Sequence, residues 1–397
     1  MSDSVPNGWS KVEFDSFTTL QRGKDLTKAQ FREGTVPVAG SNGVIGYHDT
    51  AIAQAPGITV GRSGSAGKVT VYEEDFWPHN TSLYVRDFHG NDPYFAGFLL
   101  GSLDLARFKT GASVPTLDRN SFKTLPILVP PLPEQKKIAH ILSTVQRAIE
   151  AQDRIIQTTT ELKKALMHKL FTEGPHNEPQ KQTEIGPVPE SWAVVKIKDH
   201  CIDSAFGPRF GSDLYARDGN ILTLRTTDME EDGRIDYNTA PVARIDYAKF
   251  EKHYLQKGDV VVSRSGTCGI ASVFEGYPMP VLPGAFLIRL RMKPSVQPMF
   301  LRHYINSPVG RPYVLRLAQG AIQKNISGTR LGNLSIPLPS IEEQREISGM
   351  VGTIDKKLEG HRIKLRANQE LFRTFLHELM TAKTRVHEYD FGKEAVA

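Results

Sequence analysis

Apolar residues recur at three- and four-residue steps in two long stretches of the chain, which is the spacing of one face of an α-helix. The repeating positions are Ile138, Leu142, Val145, Ile149, Ile156, Leu162, Leu166 and Leu170 in the first stretch and Ile347, Val351, Ile354, Leu358, Leu365, Phe372, Phe375 and Leu379 in the second. Polar residues interrupt the two series at Gln152, Thr159, His361 and Asn368. The pattern predicts two helices, over residues 134–171 and 343–380, each roughly 57 Å long at 1.5 Å per residue.

The segment that begins each predicted helix occurs twice with nearly the same sequence. A shift of 209 positions places Ile127, Pro130, Glu134, Gln135 and Ile138 on Ile336, Pro339, Glu343, Gln344 and Ile347, and it also places His168, Leu170 and Thr172 on His377, Leu379 and Thr381. Such a duplication predicts two equivalent modules in a pseudo-twofold symmetric molecule. The period is far too long for a solenoid.

Each predicted helix has one apolar face, and such a face is not stable in water. The simplest arrangement is that the two helices bury these faces against each other as a coiled coil. A pseudo-twofold axis then requires them to run antiparallel. The alternative is that each helix packs separately on its own domain. The polar residues in the middle of each series suit either a role in fixing the register of the pair or a surface for a partner.

Short β-branched runs separated by glycines precede each helix, at 58–60, 68–72, 221–225, 259–264 and 285–290. They predict short strands joined by turns. The predicted fold class is therefore α+β, with two α/β modules joined by two long antiparallel helices. The predicted domains are 1–133 for the first module, 134–173 for the first helix, 174–190 for a linker, 191–340 for the second module, 341–381 for the second helix and 382–397 for a C-terminal tail.

A second duplication lies inside the modules. A shift of 202 positions places Arg62, Ser63, Gly64, Gly67, Val71 and Glu73 on Arg264, Ser265, Gly266, Gly269, Val273 and Glu275. A strand followed by Arg-Ser-Gly-x-x-Gly predicts a loop that exposes backbone N–H groups beside a guanidinium, which suits a phosphate or a base edge. The alternative is an ordinary β-turn with a surface arginine. The loop is not a Walker A motif, because Val69 replaces the Ser or Thr that holds magnesium.

Further polar loops occupy residues 40–48 in the first module and 206–212 and 224–230 in the second. A third polar segment is shared, because residues 109–119 of the first module align with 317–330 of the second. Arg, Lys, Asn and Gln on such loops are the side chains that contact base edges in the major groove. For any single residue the alternative is a solvated loop side chain. The candidate DNA-contacting residues are Lys24, Ser41, Asn42, Tyr47, His48, Arg62, Ser63, Lys68, Lys109, Arg119, Arg209, Arg225, Thr226, Arg264, Ser265, Thr267, Gln323, Lys324, Asn325 and Arg330.

The bulk composition narrows the function only slightly. The 397 residues carry a net charge of +5, which weakly favours a polyanionic partner. Cys201 and Cys268 lack the spacing of metal ligands, and this favours a reducing compartment and no structural metal. Because neither a signal peptide nor a membrane span is apparent, we expect a cytoplasmic protein that does not contact membranes.

Catalytic motifs are missing from the sequence. No HExxH, no GxSxG in a strand-turn-helix setting and no metal-ligand spacing of His and Cys occurs. Residues 91–95 (NDPYF) faintly resemble an amino-methyltransferase motif, but they lack its second proline and fit the start of a helix better. The sequence therefore favours a protein that recognises a ligand without carrying out chemistry on it.

Taken together, the two glycine-rich modules, each closed by a Pro-Leu-Pro turn and a Glu-Gln-x-x-Ile helix start, resemble the specificity subunits of type I restriction-modification systems. The similarity extends over nearly the whole chain, and the duplicated helix starts at Glu134 and Glu343 are its most specific part. The resemblance implies that each module is a target-recognition domain for one half of a split double-stranded DNA site. It further implies that the paired helices set the spacing between the two halves.

The same resemblance implies partners. Two modification subunits, which bind S-adenosylmethionine and methylate adenine, would dock on the helices and recognition domains, and restriction subunits would join them. This chain itself would bind no cofactor. The second module has 19 more residues between Trp192 and its glycine loop than the first has after Trp9, and most of its loop residues differ, which implies an asymmetric bipartite target. Competing hypotheses are an enzyme with a fused methyltransferase or nuclease activity and a coiled-coil scaffold that binds only proteins.

Overall fold

The computed structural model describes residues 5–110, 116–319 and 325–388. The chain divides into two compact units: unit 1 contains residues 1–154 and 362–397, and unit 2 contains residues 155–361. Each unit therefore includes one module and part of each long helix.

The first module is built mainly from short strands. Its elements, with the long helix that follows, are β1 (Ser10–Glu13), α1 (Phe14–Phe17), β2 (Thr19–Arg22), β3 (Val36–Gly40), β4 (Gly43–His48), β5 (Gly57–Gly61), β6 (Val69–Tyr72), β7 (Trp77–Pro78), β8 (Ser82–Asp87), α2 (Pro93–Ser102), β9 (Lys109–Thr110), β10 (Thr116–Leu117), β11 (Pro126–Val129) and α3 (Leu132–Glu173).

The second module repeats this plan. Its elements, with the closing helix, are β12 (Gln180–Thr183), β13 (Gly186–Pro189), β14 (Ala193–Lys196), β15 (Cys201–Phe206), β16 (Ile221–Leu224), β17 (Val242–Ala243), β18 (Val260–Ser263), β19 (Ala271–Val273), β20 (Val281–Pro283), β21 (Leu287–Met292), α4 (Pro298–Asn306), α5 (Arg311–Arg316), α6 (Gly328–Gly332), β22 (Ser335–Leu338) and α7 (Ile341–Met380).

The two modules share one sheet topology. The four-stranded sheet has the order β2-β8-β5-β6 in the first and β15-β21-β18-β19 in the second. Beside it lies a three-stranded sheet, β4-β3-β7 or β17-β16-β20, in which β3 and β7, and likewise β16 and β20, are parallel. A strand from the start of the module pairs antiparallel with the strand just before its long helix, as β1–β11 and β14–β22. The structure thus confirms the predicted pair of α/β modules.

Both long helices are confirmed, and the clusters that contain them show that they run antiparallel. In unit 1 Leu142, near the start of α3, shares a core with Leu379, near the end of α7. In unit 2 Phe171, at the end of α3, shares a core with Ile347, near the start of α7. The helices also pack on the modules, in addition to contacting each other.

One predicted seam position is wrong. Leu162 is 60% exposed, whereas its neighbour Lys163 is buried and forms an ion pair with Asp355 at 2.6 Å. The apolar residue faces solvent because the helix presents the lysine to a carboxylate on α7 instead. Spacing alone cannot predict which of these two adjacent residues is buried, since either one fits the apolar face of the helix to within one position.

The predicted linker and the predicted tail both contain residues that pack into a core. Residues 180–189 form an antiparallel hairpin of β12 and β13, and the side chains of Ile185 and Val188 belong to the core of unit 2. In the tail Val386 is buried in the core of unit 1. In both segments, apolar side chains that follow the end of a long helix pack into the core of a unit. At these positions neither segment is an extended linker in solvent.

The duplicated Glu-Gln pair explains how each long helix is joined to its module. The indole N–H of Trp9 donates to Glu134 at 3.1 Å, and that of Trp192 donates to Glu343 at 3.2 Å. Each carboxylate therefore satisfies the polar atom of a buried tryptophan at the start of the module. The repeated glutamate is structural.

The adjacent glutamine clamps the module's own helix. The side-chain oxygen of Gln135 accepts from the backbone N–H of Asp92, at the start of α2, and that of Gln344 accepts from Gln297, at the start of α4 (3.0 and 2.7 Å). The amide nitrogens donate to Pro130 and Pro339 at 2.9 and 3.0 Å. The same three-way junction thus forms twice.

Glu134 has a further partner that gives unit 1 a pH-dependent contact. Burial would raise the pKa of Glu134, but two hydrogen bonds from Arg385 (2.8 and 2.9 Å), its charge, and the N–H groups of Val386 and Trp9 outweigh burial and lower this pKa. A carboxyl whose pKa is lowered on folding stabilises the fold above its ordinary pKa of 4.5, and this contribution is lost as the pH falls further.

We therefore expect Glu134→Gln to lower the free energy of unfolding by about 2 kcal/mol at pH 7, as for hydrogen bonds to charged groups. The difference between Glu134→Gln and wild type should shrink below pH 4.5. Urea unfolding at a series of pH values measures it. In an Arg385→Met background the pKa of Glu134 should no longer be lowered, because burial then outweighs the remaining hydrogen bonds, so the difference should no longer shrink below pH 4.5. A difference that still shrinks there would mean that Arg385 is not its source.

Candidate nucleic-acid interface

The two Arg-Ser-Gly loops have the same backbone structure. Gly67 donates to the carbonyl of Gly61 at 2.8 Å, and Gly269 donates to Ser263 at 2.6 Å. The first and second glycines of each loop have positive φ, +72° and +90° in the first module and +70° and +77° in the second. Only glycine adopts these angles readily, which explains why both glycines occur in both copies.

The loop arginines occupy equivalent places between two neighbouring segments. In the first module the N–H of Arg62 donates to Thr81 at 2.9 Å, and its carbonyl accepts from Leu117 at 2.8 Å. In the second, the N–H of Arg264 donates to Phe286 and its carbonyl accepts from Ile326, both at 2.9 Å. The arginine backbone is therefore fixed on both sides in each module.

The first module's hairpin turn has a counterpart that the sequence comparison missed. The N–H of His79 donates to Ala39, and that of Gly284 donates to Leu224, after the middle strand of the three-stranded sheet in each case. Residues 40–42 in the first module therefore correspond to 225–227 in the second. No side-chain identity marks this relation, which is carried by backbone hydrogen bonds alone.

Two glycines at equivalent positions of the two modules allow close backbone approaches in these sites. A Cβ on Gly23 would lie 2.2 Å from the carbonyl oxygen of His79, and one on Gly207 would lie 2.0 Å from that of Pro283. Contacts this short are not possible for any other residue type. Gly23 is not among the predicted residues, although its position at the end of a strand pattern was a usable signal.

In the first module the structure gathers several predicted residues. Lys68 donates to the backbone and side-chain oxygens of Asn42, both at 2.9 Å, and thereby ties the β3–β4 turn to the glycine loop. Ser63 bridges to Thr116 on β10, which pairs with β9, the strand that begins with Lys109. Residues 40–48, predicted as a polar loop, form the hairpin of β3 and β4 instead.

Three other first-module candidates lie around this cluster. Ser41 is in the β3–β4 turn, and its carbonyl would be 2.6 Å from a Cβ on Gly61. Lys24 is exposed and pairs with His79 beside β7. Tyr47 is 57% exposed on β4.

In the second module a cleft of about 520 Å³ brings together Arg209, Arg225 and Thr226, with Phe210, Tyr215 and Phe286 among its walls. Arg225 is held rigidly. Its Nε and Nη2 donate to the buried carboxylate of Asp228 at 3.2 and 2.8 Å, and Nη2 also donates to the carbonyl of Thr239 at 2.6 Å. The hydrogen bond to Asp228 raises the pKa of Arg225, which keeps its charge fixed.

Arg264 lies beside this cleft and is held differently. Its guanidinium lies over the ring of Phe206 at 4.4 Å, and its Nε donates to Asn325 at 3.0 Å. Thr267 is exposed and lines a separate cavity of about 370 Å³ with Arg311, whose pKa is lowered by burial.

Some predicted residues do not present a free side chain. His48 is 5% exposed, accepts from the N–H of Thr50 at 3.0 Å and packs on Trp77, so its side chain is not presented at the surface of the module. Ser265 is 4% exposed and is also unsuited to direct contact.

Arg119 donates to the carbonyl of Leu20 at 3.0 Å, and Arg330 donates to that of Leu317 at 3.3 Å, so each arginine ties segments of its own module together. Gln323 and Lys324 lie outside the described residues.

No group of three or more His, Cys, Asp and Glu side chains converges as a metal site would require within residues 5–110, 116–319 and 325–388. In those same ranges, no helix combines the length and apolar composition needed to cross a bilayer.

Comparison with known proteins decides the family. Residues 6–160 and 189–368 match the model for the type I restriction modification DNA specificity domain. The chain belongs to this specificity family. The two matched ranges cover the two modules and most of the long helices, so the duplication described above corresponds to two copies of the family domain.

Relatives within the specificity family extend over most of the chain. The type I restriction enzyme MjaVIII specificity subunit of Methanocaldococcus jannaschii is 28% identical and covers 71% of this chain and 67% of its own length. The StySPI specificity subunit of Salmonella potsdam is 24% identical, and the match covers 99% of this chain and 94% of that subunit. The crystal structure of the type I system S subunit from M. genitalium has the same fold, with a TM-score of 0.67, 19% identity and coverage of 96% and 97%.

Proposed function

We propose that this chain is the DNA-recognition subunit of a type I restriction-modification complex, in which each module recognises one half of a bipartite double-stranded target. The observation that carries the proposal is that two backbone frameworks, matched hydrogen bond by hydrogen bond, carry different side chains around the same arginine. A shared framework with unlike side chains suits two sites that bind the same kind of ligand but distinguish different sequences.

The long helices suit a spacer. A helix of 42 residues is about 63 Å long at 1.5 Å per residue, which exceeds the ~34 Å of one turn of DNA. Modules attached to such helices suit half-sites a helical turn or more apart. The exposed faces of the helices would dock two modification subunits, which would bind S-adenosylmethionine, and restriction subunits would join that assembly.

The chain in this proposal supplies recognition and no chemistry. The side chains gathered in both sites are arginines, lysines, amides and hydroxyls, which bind phosphates and base edges rather than activate water or a cofactor. The exposed cations on the modules, among them Lys24 and Arg209, supply attraction to the phosphate backbone that weakens as salt rises.

The test is a methylome map of cells that express the chain with its modification partner, compared with cells that lack the chain. We expect a new split motif with methyladenine in each half. Arg264→Ala should then damage recognition of the second half-site only. If no motif appears although the two proteins co-purify as a complex, a scaffold that binds only proteins is the better description.

A further inference from the structure

Arg62 and Arg264 occupy the same backbone position, but their side chains have different surroundings. Gly23 and Gly207 directly follow two equivalent strands, β2 and β15. Arg22 in the first module therefore occupies the position that Phe206 occupies in the second. The bridges from Ser63 to Thr116 and from Ser265 to Asn325 are likewise equivalent. Arg264 therefore has an aromatic ring and an amide oxygen beside it, whereas the corresponding neighbours of Arg62 are an arginine and a threonine.

These neighbours fix the guanidinium of Arg264 in three ways. Its Cζ lies over the ring of Phe206, 4.4 Å from the centroid, its Nε donates to the side-chain oxygen of Asn325 at 3.0 Å, and its backbone is hydrogen-bonded on both sides. With Nε engaged, Nη1 and Nη2 have no hydrogen-bond partner among residues 5–110, 116–319 and 325–388, and their outer edge can face a ligand. Two parallel N–H groups at that edge match the O6 and N7 acceptors of guanine in the major groove.

We infer that Arg264 recognises the guanine of one G·C pair in the half-site of the second module, with Phe206 and Asn325 as positioning residues. This inference rests on the proposed function. A phosphate contact needs a cation but little angular precision, whereas recognition of a base requires a fixed donor direction. Immobilising the side chain before binding also removes the entropy cost of ordering it on the DNA. Arg62, which lacks both neighbours, contacts the phosphate backbone.

The experiment uses the purified complex of this chain with its modification partner and duplexes that carry the motif found in the methylome. Each base pair of the second half-site is replaced in turn, and the dissociation constants are measured at several salt concentrations. For Arg264→Ala and Arg264→Lys, we expect discrimination at one G·C pair to fall on the order of tenfold or more, with the other positions unchanged. Lysine keeps the charge but not the planar fork, so it should not restore recognition.

Arg62→Ala is the matched control from the same position of the other module. It should weaken binding to all duplexes equally and reduce the salt dependence by about one phosphate contact. Phe206→Leu should reduce discrimination at the same G·C pair as Arg264→Ala, and Phe206→Tyr should retain it.

The inference is overturned if Arg264→Ala behaves as Arg62→Ala is expected to, if Arg264→Lys keeps full discrimination, or if the second half-site contains only A·T pairs. These results would leave the recognition role of the chain intact, because the wild-type motif would still be present. Absence of any wild-type motif would instead overturn the proposed function and this inference with it.

Discussion

Replacing Asp355 by alanine should destabilise unit 2 by about 3–5 kcal/mol, the range for a buried ion pair that loses one partner. The Nζ of Lys163 lies 2.6 Å from the carboxylate of Asp355, and both side chains are largely buried, at 10% and 20% exposure. Arg302, also buried, approaches the same carboxylate at 3.8 Å. Without Asp355, both cations would remain in the interior without their shared anion. Thermal or urea unfolding of the chain measures the effect.

His303 lies near both cations and does not add to their charge. Burial, together with Arg302 and Lys163, lowers the pKa of His303 well below its usual value, so this ring stays neutral and adds no charge that an anion would need to balance. The control is the double variant Lys163→Met with Asp355→Leu, which should recover the part of the lost stability that is due to Lys163, because apolar residues often replace a buried ion pair at little cost, while Arg302 still lacks its anion. A double variant as unstable as Asp355→Ala would assign the loss to packing.

Gly207→Ala should destabilise the second module by about 3 kcal/mol or more and abolish recognition of its half-site. The added Cβ would lie 2.0 Å from the carbonyl oxygen of Pro283 and 2.2 Å from that of Gly284. Both atoms belong to the backbone that follows β20, so relief requires β15 and β20 to separate. Phe206 and Arg209, on either side of Gly207, would then move out of place. Thermal unfolding and binding to half-site duplexes provide the two readouts.

Gly360→Ala is the matched control. A Cβ at Gly360, within α7, meets no atom within 4 Å. Because alanine is favoured over glycine inside a helix, this variant should be more stable by about 0.5–1 kcal/mol. Equal destabilisation by both substitutions would show that contact with the backbone is not the reason for glycine at position 207.

The long helices and the glycine loops were predictable from sequence because their determinants are local. An apolar stripe such as Ile347 and Val351 at four-residue spacing already specifies a helical face, and paired glycines such as Gly64 and Gly67 already specify positive φ. These features need no knowledge of what lies opposite them in the fold. The resemblance of the whole chain to the specificity family followed from the same local motifs.

The rest depended on contacts between distant segments. Correspondence of the turn at Ser41 with Thr226 is fixed by backbone hydrogen bonds that leave no trace in residue identity. Burial of Lys163 depends on a carboxylate far away in the chain, and burial of His48 depends on packing against Trp77. Likewise, nothing in the Arg-Ser-Gly motif distinguishes Arg62 from Arg264, whose surroundings come from other strands.

The glutamine clamps have a consequence for how such a protein changes over evolutionary time. Among the residues that the structure describes, the side chain of Gln344 bonds only main-chain groups, at Gln297, Ser295 and Pro339. The side chain of Gln135 bonds main-chain groups at Asp92 and Pro130 and also the side chain of Asn91. Hydrogen bonds to main-chain groups depend little on which side chains the bonded residues carry. Mutation can therefore diversify the surface of either module, or recombination can replace a whole module, while the joint to its helix keeps the same form.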